Sequence, residues 1–180
     1  HRLRRAGYLA AGPLDAQRSY YRLTPQAAAT LFGETEKIAI APGVQALTQA
    51  YAMLSLCCLG ETRHERIMAS EFQAQYPELI TPGLTLRFYY RDTEGDAQRI
   101  GLMLLGLSQD YVRVLRKARQ AIQRRFQAAA WRERILSDGF TIAIVTEKRH
   151  KADRIEQAIA EDERLHPVHF WRVEAREDLI

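Results

Sequence analysis

Two apolar runs of strand length constrain the fold of this chain more than any other feature. The runs "IGLMLLGL" (100–107) and "FTIAIVT" (140–146) are apolar at consecutive positions, which is typical of strands buried on both faces. A long helix is predicted between them, with Ser108 as its N-cap. Its apolar stripe consists of Tyr111, Leu115, Ala118, Ile122 and Phe126. Strands that alternate with helices in this way indicate a sheet covered by helices.

The neighbouring segments complete the predicted order of elements. "LTLRFYYR" (84–91) reads as a strand that a polar turn joins to the strand at 100–107, which is therefore central. "VQALTQAYAMLSLCCL" (44–59) is predicted to be an apolar helix, and "RIMASEFQAQYP" (66–77) fits either a strand or a short helix. A polar helix at 149–165 and a last strand at 168–175 follow. The predicted fold is an α/β sandwich with a mixed central sheet. The apolar face of the helix at 44–59 is predicted from Leu47, Tyr51, Leu54 and Cys58.

The first 33 residues have a pattern of their own. "HRLRRAGYLA" (1–10) reads as the end of a helix that stops at Gly7. Two short strands follow, the second of them "SYYRL" (19–23), around a turn marked by Gly12, Pro13 and Asp15. Thr24 and Pro25 then indicate the N-cap and first residue of a helix that ends at Gly33, before a linker at 34–43.

The order helix end, hairpin and short helix resembles the second half of bacterial winged-helix DNA-binding proteins, over residues 1–33. The resemblance implies that Arg2, Arg4 and Arg5 belong to a recognition helix in the major groove of double-stranded DNA. It also implies that Arg18, Tyr21 and Arg22 lie on a wing that meets phosphates. The two leading helices of that fold are not in the sequence. Because the chain also begins at His1 without methionine, we expect a fragment or a processed product.

The element order of residues 44–180 resembles the restriction-endonuclease-like core of plasmid replication-relaxation and mobilisation proteins. Nuclease members of that fold carry an acid at the first hairpin strand and an acid-x-lysine on the central strand, which bind Mg²⁺. Here Pro82-Gly83 lacks the aspartate, and the run 100–107 has neither an acid nor a lysine. The resemblance therefore implies a catalytically inactive domain, without catalytic residues, metal or cofactor.

The acids nearest the predicted hairpin leave one alternative open. Asp92, Glu94 and Asp96 are interpreted as a solvated turn. A metal-dependent nuclease with rearranged acids would instead use Glu71 with Asp92 or Glu94. The five histidines are scattered and have no zinc-ligand spacing to a cysteine.

Charge is unevenly distributed along a chain whose net charge is only +4. Residues 1–22 hold five arginines and one acid, and residues 113–125 hold five arginines and a lysine without an acid. Either run could face phosphate, and the second could equally face an acidic partner protein. The candidate residues of this second basic surface are Arg113, Arg116, Lys117, Arg124 and Arg125.

The cysteines and tryptophans are interpreted as structural. Cys57 and Cys58 are adjacent, which disfavours a disulfide between them and predicts a reduced, cytoplasmic protein with both side chains in the core. Trp131 and Trp171 are predicted to pack in the core or at its edge. No signal peptide opens the chain, and the longest apolar run is too short for a membrane span. The apolar helix at 44–59 predicts a homodimer interface.

Together these features predict a non-catalytic DNA-binding accessory or regulatory protein of a mobile genetic element, acting in replication, the relaxosome or transfer. Its expected partners are double-stranded DNA and a relaxase or replication protein. The alternatives are the metal-dependent nuclease and a protein-interaction module that docks through its basic helix.

Overall fold

A computed structural model describes residues 2–13, 17–32, 43–60, 62–92, 98–107 and 110–179. The chain divides into two compact units, the first covering residues 1–49 and the second residues 50–179. The predicted linker lies outside the described residues except for Gly43.

In the described residues up to Phe32, the first unit contains two short helices and one hairpin. Helix α1 (Arg2–Arg5) is followed by Gly7, whose φ of 76° is the left-handed conformation that glycine adopts at low cost. Strands β1 (Leu9–Pro13) and β2 (Ser19–Leu23) pair antiparallel, and helix α2 (Pro25–Phe32) comes next. The predicted helix end, hairpin and helix are therefore confirmed. Asp15 of the turn and Gly33 lie outside the described residues.

The second unit is built on one five-stranded sheet. Its strands are β3 (Glu65–Ile67), β4 (Tyr89–Asp92), β5 (Arg99–Leu105), β6 (Phe140–Thr146) and β7 (Phe170–Ala175), in that spatial order. The pairs β3–β4 and β4–β5 are antiparallel, whereas β5–β6 and β6–β7 are parallel. The predicted mixed sheet is thus confirmed, and β5 is its central strand.

Helices cover both faces of this sheet. They are α3 (Val44–Leu54), α4 (Ala69–Gln75), α5 (Tyr111–Phe126), α6 (Ala129–Leu136) and α7 (Arg149–Glu161). The helices α5 to α7 connect the parallel strands and pack on one face together with α4. Right-handed crossovers that proceed in one direction across a sheet bring their helices to the same face. The other face is covered by the end of α3 and the π-helical turn Ser55–Leu59.

The helix predicted at 44–59 buries a different stripe from the predicted one. The buried apolar residues are Ala52, Met53, Leu56 and Cys57, whereas Leu54 and Cys58 are exposed. Almost every position of this segment is apolar, so spacing could not select the buried face, and the π-helical turn shifts it further. The prediction that both cysteines lie in the core is therefore wrong for Cys58. Both thiols are free, as predicted.

Three other boundaries differ from the sequence prediction. Residues 66–77 contain both alternatives, since β3 ends at Ile67 and α4 begins at Ala69. The hairpin strand starts only at Tyr89, after Phe88 with a φ of 70°. The long helix breaks into α5 and α6, and its N-cap is Asp110, whose side chain accepts from the Val112 amide at 2.9 Å. Ser108 lies outside the described residues.

The tryptophans pack as predicted. Trp131 is fully buried and donates from its indole nitrogen to the Leu79 carbonyl at 2.8 Å. Trp171, on the edge strand β7, is half-buried against the core. Among the helices of the described residues, none has the length and hydropathy needed to cross a bilayer.

Candidate nucleic-acid interface

Thr24 connects the elements of the first unit. Its hydroxyl donates to the Gly7 carbonyl at 2.6 Å and accepts from the Ala27 amide at 3.2 Å. Its own amide donates to the Tyr8 carbonyl at 3.0 Å. The predicted N-cap is confirmed, and the same residue also joins the end of α1 to the start of α2.

The arginines of α1 are left exposed by this arrangement. Arg2, Arg4 and Arg5 are all exposed, and the helix has no buried residue. Within the described part of the first unit there are five arginines and no acid. An exposed basic surface of this kind attracts polyanions such as nucleic acids.

The hairpin presents one tyrosine inward and one outward. Tyr20 covers the backbone of Gly12, where an added Cβ would lie 2.6 Å from the ring. Tyr21, the next residue along the strand, is 59% exposed. Arg18 and Arg22 are half-exposed on either side of these residues. The six residues predicted on the winged-helix resemblance thus belong to one small unit, and contact with DNA stays a prediction.

The second predicted basic surface is a ridge along α5. Its exposed cations are Arg113, Arg116, Lys117 and Arg124. These positions follow the spacing of one helix face, and α5 contains no acid. None of the four forms an ion pair within the described part of the chain. In contrast, Arg119 on the flank of this basic ridge is paired with Asp162.

Arg125 does not belong to the basic ridge, and its prediction as a surface residue is wrong. Its side chain is only 3% exposed. Arg125 comes seven residues after Ala118 and three after Ile122, so the helical period carries it onto the apolar face. The helical spacing therefore indicated a buried position for residue 125, whereas the charge of the arginine suggested an exposed one.

Asp92 is likewise buried, so its interpretation as a solvated turn residue is wrong. It ends β4 at 4% exposure, and one carboxylate oxygen lies 3.3 Å from Nδ1 of His64. The His64 ring in turn packs on Tyr90, with the ring centroids 5.1 Å apart. Sequence reasoning missed this pair because the two residues are far apart in the sequence and meet only through the β3–β4 pairing. Glu94 and Asp96 lie outside the described residues.

Two acids of the nuclease alternative, Glu71 and Asp92, have other partners. Glu71 accepts from the Met68 amide at 2.7 Å at the start of α4, while Asp92 is engaged with His64. Asp92 lies beside the start of β3, whereas Glu71 follows the end of β3, so the antiparallel pairing of β3 with β4 places the two acids at opposite ends of this strand pair. In the part of the chain that the structure describes, no group of three or more His, Cys, Asp or Glu side chains could hold a metal ion.

No family model matches this chain, and neither a curated protein nor a solved structure is significantly similar to it. Exposure, charge and hydrogen bonding therefore carry the functional assignment. The arginines of the first unit and the basic ridge of α5 are the two surfaces that these properties distinguish.

The Thr24 hydroxyl should stabilise the first turn of α2. We expect Thr24→Ala to destabilise the helix α2 by about 1 kcal/mol, because it removes an N-cap hydroxyl. The amides of Ala27 and Ala28 should then exchange roughly fivefold to tenfold faster in a hydrogen-exchange experiment. Thr30→Ala is the matched control, since the Thr30 hydroxyl only donates to Gln26 within the exposed helix. Equal exchange rates in the two variants would contradict the capping role of Thr24.

Proposed function

We propose that this chain is a non-catalytic DNA-binding accessory protein. Its resemblance to winged-helix proteins and to plasmid replication-relaxation and mobilisation proteins suggests a role in the replication or transfer of a mobile genetic element. In that role its partners are double-stranded DNA and a relaxase or replication protein. A homodimer through the segment 44–59 is part of the proposal, and the exposed Leu54 and Leu59 are compatible with it.

The observation that carries the proposal is the exposed arginine cluster of α1. Three arginines in four residues are exposed, α1 itself contains no acid, and Thr24 joins this helix end to the following helix. Arginine pairs with guanine edges and with phosphates, and its charge releases counterions from DNA when it binds. Tyr21 on the hairpin adds an exposed aromatic side chain to the same unit.

A non-catalytic role is supported by the composition of β5 and by the burial of Asp92. Strand β5 has neither an acid nor a lysine, and Asp92 at the end of β4 is buried against His64. Metal-dependent phosphodiester cleavage uses carboxylates that converge on the metal. The composition of β5 and the burial of Asp92 therefore favour DNA binding over DNA cleavage.

The test is a titration of fluorescent duplex DNA at several salt concentrations. We expect Arg2→Gln/Arg4→Gln/Arg5→Gln to weaken binding about tenfold or more and to reduce the slope of log affinity against log salt by up to about 2.7, since each phosphate contact on a duplex accounts for about 0.9. The matched control removes three exposed cations from α7 and its start, Lys148→Gln/Arg149→Gln/Arg154→Gln, and should bind nearly as wild type.

Three outcomes would contradict the proposal. Affinity that does not change with salt would exclude phosphate contacts. Nicking of plasmid DNA in Mg²⁺ or Mn²⁺ would replace it with the nuclease alternative. A protein partner that stays bound after nuclease treatment, together with no measurable affinity for DNA, would favour the protein-interaction module.

A further inference from the structure

Arg125 is a buried cation without a carboxylate. Its Nη1 donates to the Ala121 carbonyl at 2.8 Å and its Nη2 to the Tyr89 hydroxyl at 2.5 Å. Its Nε is buried and has no acceptor. No acid lies within ion-pair distance of Arg125 among the residues that the structure describes. Burial raises the pKa of Tyr89 despite the nearby arginine, so this hydroxyl stays neutral and supplies no countercharge.

Aromatic rings stabilise the guanidinium without neutralising it. Its carbon lies 5.2 Å from the Trp131 ring centroid, 5.5 Å from that of Tyr89 and 5.7 Å from that of Phe140. Ring quadrupoles attract a cation but carry no net charge. In a buried site the remaining positive charge is poorly screened, so it raises the electrostatic potential at the nearest surface.

The nearest surface is a groove of about 370 Å³ between α5 and the segment 83–88. Arg125 contributes to its wall, and Lys117 and Arg124 line the same groove from the basic ridge. None of the described residues that line it is an acid. Arg124 also borders an adjoining recess of about 480 Å³, formed with Thr81 and Pro82. Three cations therefore meet at one groove whose described walls hold no countercharge.

The opposite wall of the groove contains two residues with positive φ. Gly83 and Phe88 both line the groove and have φ values of 80° and 70°. For phenylalanine this conformation is strained, and such strain persists only where the surroundings impose it and is found disproportionately at binding sites. Here the Phe88 carbonyl accepts from the Met103 amide at 2.9 Å, which fixes the segment against β5.

We propose that this groove binds the phosphodiester backbone of a single-stranded nucleic acid. Lys117 and Arg124 contact phosphate oxygens. The buried Arg125 makes the electrostatic potential in the groove more positive. The choice of a nucleic acid rests on the function proposed above, whereas the anionic character of the ligand follows from the groove itself.

The length of the basic ridge favours a strand over a single anion. From Arg113 to Arg124 it extends about 16 Å along the helix, which corresponds to several successive phosphates. A single strand can also bend into a narrow groove, whereas a duplex presents its phosphates on a rigid convex surface. The half-buried Phe88 gives a base an aromatic side chain to contact.

The first experiment measures binding of a fluorescent oligothymidylate of about twenty nucleotides to the whole chain. We expect Lys117→Gln/Arg124→Gln to weaken binding about tenfold and to reduce the salt slope by roughly 1.4, because each of the two phosphates that is no longer neutralised accounts for about 0.7. Lys148→Gln/Arg154→Gln is the charge-matched control. Wild-type affinity in Lys117→Gln/Arg124→Gln, or an equal weakening in the control, would overturn the proposal.

A second experiment separates binding from structure at Arg125. We expect Arg125→Met/Tyr89→Phe to keep or raise the melting temperature, because both partners of a buried hydrogen bond are replaced by apolar groups of similar shape. Binding of the oligothymidylate should nevertheless weaken about threefold. A lower melting temperature with unchanged binding would make Arg125 a purely structural residue and overturn its assigned role.

Competitors and duplex DNA distinguish the possible ligands. Polyphosphate should displace the oligothymidylate at lower concentration than polyglutamate does, and the reverse order would indicate an acidic protein partner and overturn the proposal. Lys117→Gln/Arg124→Gln should affect a duplex less than the single strand, and an equal effect on both would overturn the choice of ligand. Arg2→Gln/Arg4→Gln/Arg5→Gln tests the proposed duplex function separately, because those residues belong to the first unit.

Discussion

Gly101→Ala should lower the free energy of unfolding by about 3 kcal/mol, the upper range for overpacking a core. Gly101 is paired with Tyr90 across β4 and β5, and the tyrosine ring lies over the glycine. A Cβ at Gly101 would be 2.1 Å from Cζ of that ring, far inside van der Waals contact. The ring cannot easily move, because it is fully buried. It packs against His64 and belongs to the same core cluster as Met53 and Leu56. Urea denaturation at constant m-value measures the destabilisation.

Two further variants identify the cause of this destabilisation. Gly106→Ala is the control near the end of the same strand, since the nearest atom to its Cβ would be 3.4 Å away, in ordinary contact. In a Tyr90→Ala background, Gly101→Ala should cost much less than in the wild type, which gives a coupling free energy of roughly 2 kcal/mol. Equal effects of Gly101→Ala with and without the Tyr90 ring would show that the ring is not responsible.

Much of this fold could be predicted because its signals are local. The strands β5 and β6 are continuous apolar runs, and α5 has an apolar stripe of helical period, so their order alone indicated a covered sheet. The first unit was predictable for the same reason. Gly7, Thr24 and Pro25 each mark a helix end within one or two residues.

The features that sequence reasoning missed depend on residues far apart in the chain. Arg125 is buried because Tyr89, Trp131 and Phe140 surround it, and no pattern around position 125 shows those contacts. Asp92 is buried because β3 brings His64 beside it. A charged residue is normally assigned to the surface, so such buried charges are where a sequence-based prediction fails. The exposed arginines of α1 and the basic ridge follow the normal rule and were predicted correctly as exposed.

A third buried charge lies at the carboxyl end of the central strands. Lys151, in the first turn of α7, is 5% exposed, and its ammonium donates to the Gly106 carbonyl beyond the end of β5. It also lies 3.0 Å from both carboxylate oxygens of Glu147 at the end of β6. The Thr146 hydroxyl lies 3.1 Å from the same Gly106 carbonyl and 2.9 Å from Glu147. This cluster therefore joins α7 to the carboxyl ends of two parallel strands.

Lys151→Met should lower the free energy of unfolding by about 3 kcal/mol at neutral pH, because it leaves Glu147 charged, mostly buried and without its cation. Glu147→Gln/Lys151→Met should recover part of this stability, since no uncompensated charge remains. Lys148→Met, which changes an exposed neighbour, is the matched control and should stay within about 0.5 kcal/mol of wild type. Urea denaturation measures all three variants.

The effect of Lys151→Met should also depend on pH in a defined direction. Burial raises the pKa of Glu147, but hydrogen bonds from its own backbone amide, from Lys151 and from Thr146 outweigh this and lower the pKa below its ordinary value. The stabilisation is therefore fully present above the unfolded pKa of about 4.3 and is lost as the pH falls through the folded pKa. In Lys151→Met the Glu147 carboxylate stays buried but has lost the ammonium. Protonation of Glu147 then removes the uncompensated charge, so it reduces the destabilisation of this variant. The difference in unfolding free energy between wild type and Lys151→Met should thus be largest near pH 7 and shrink below about pH 4. A difference that stays constant across this range would show that poorer packing, and not the missing ion pair, causes the destabilisation.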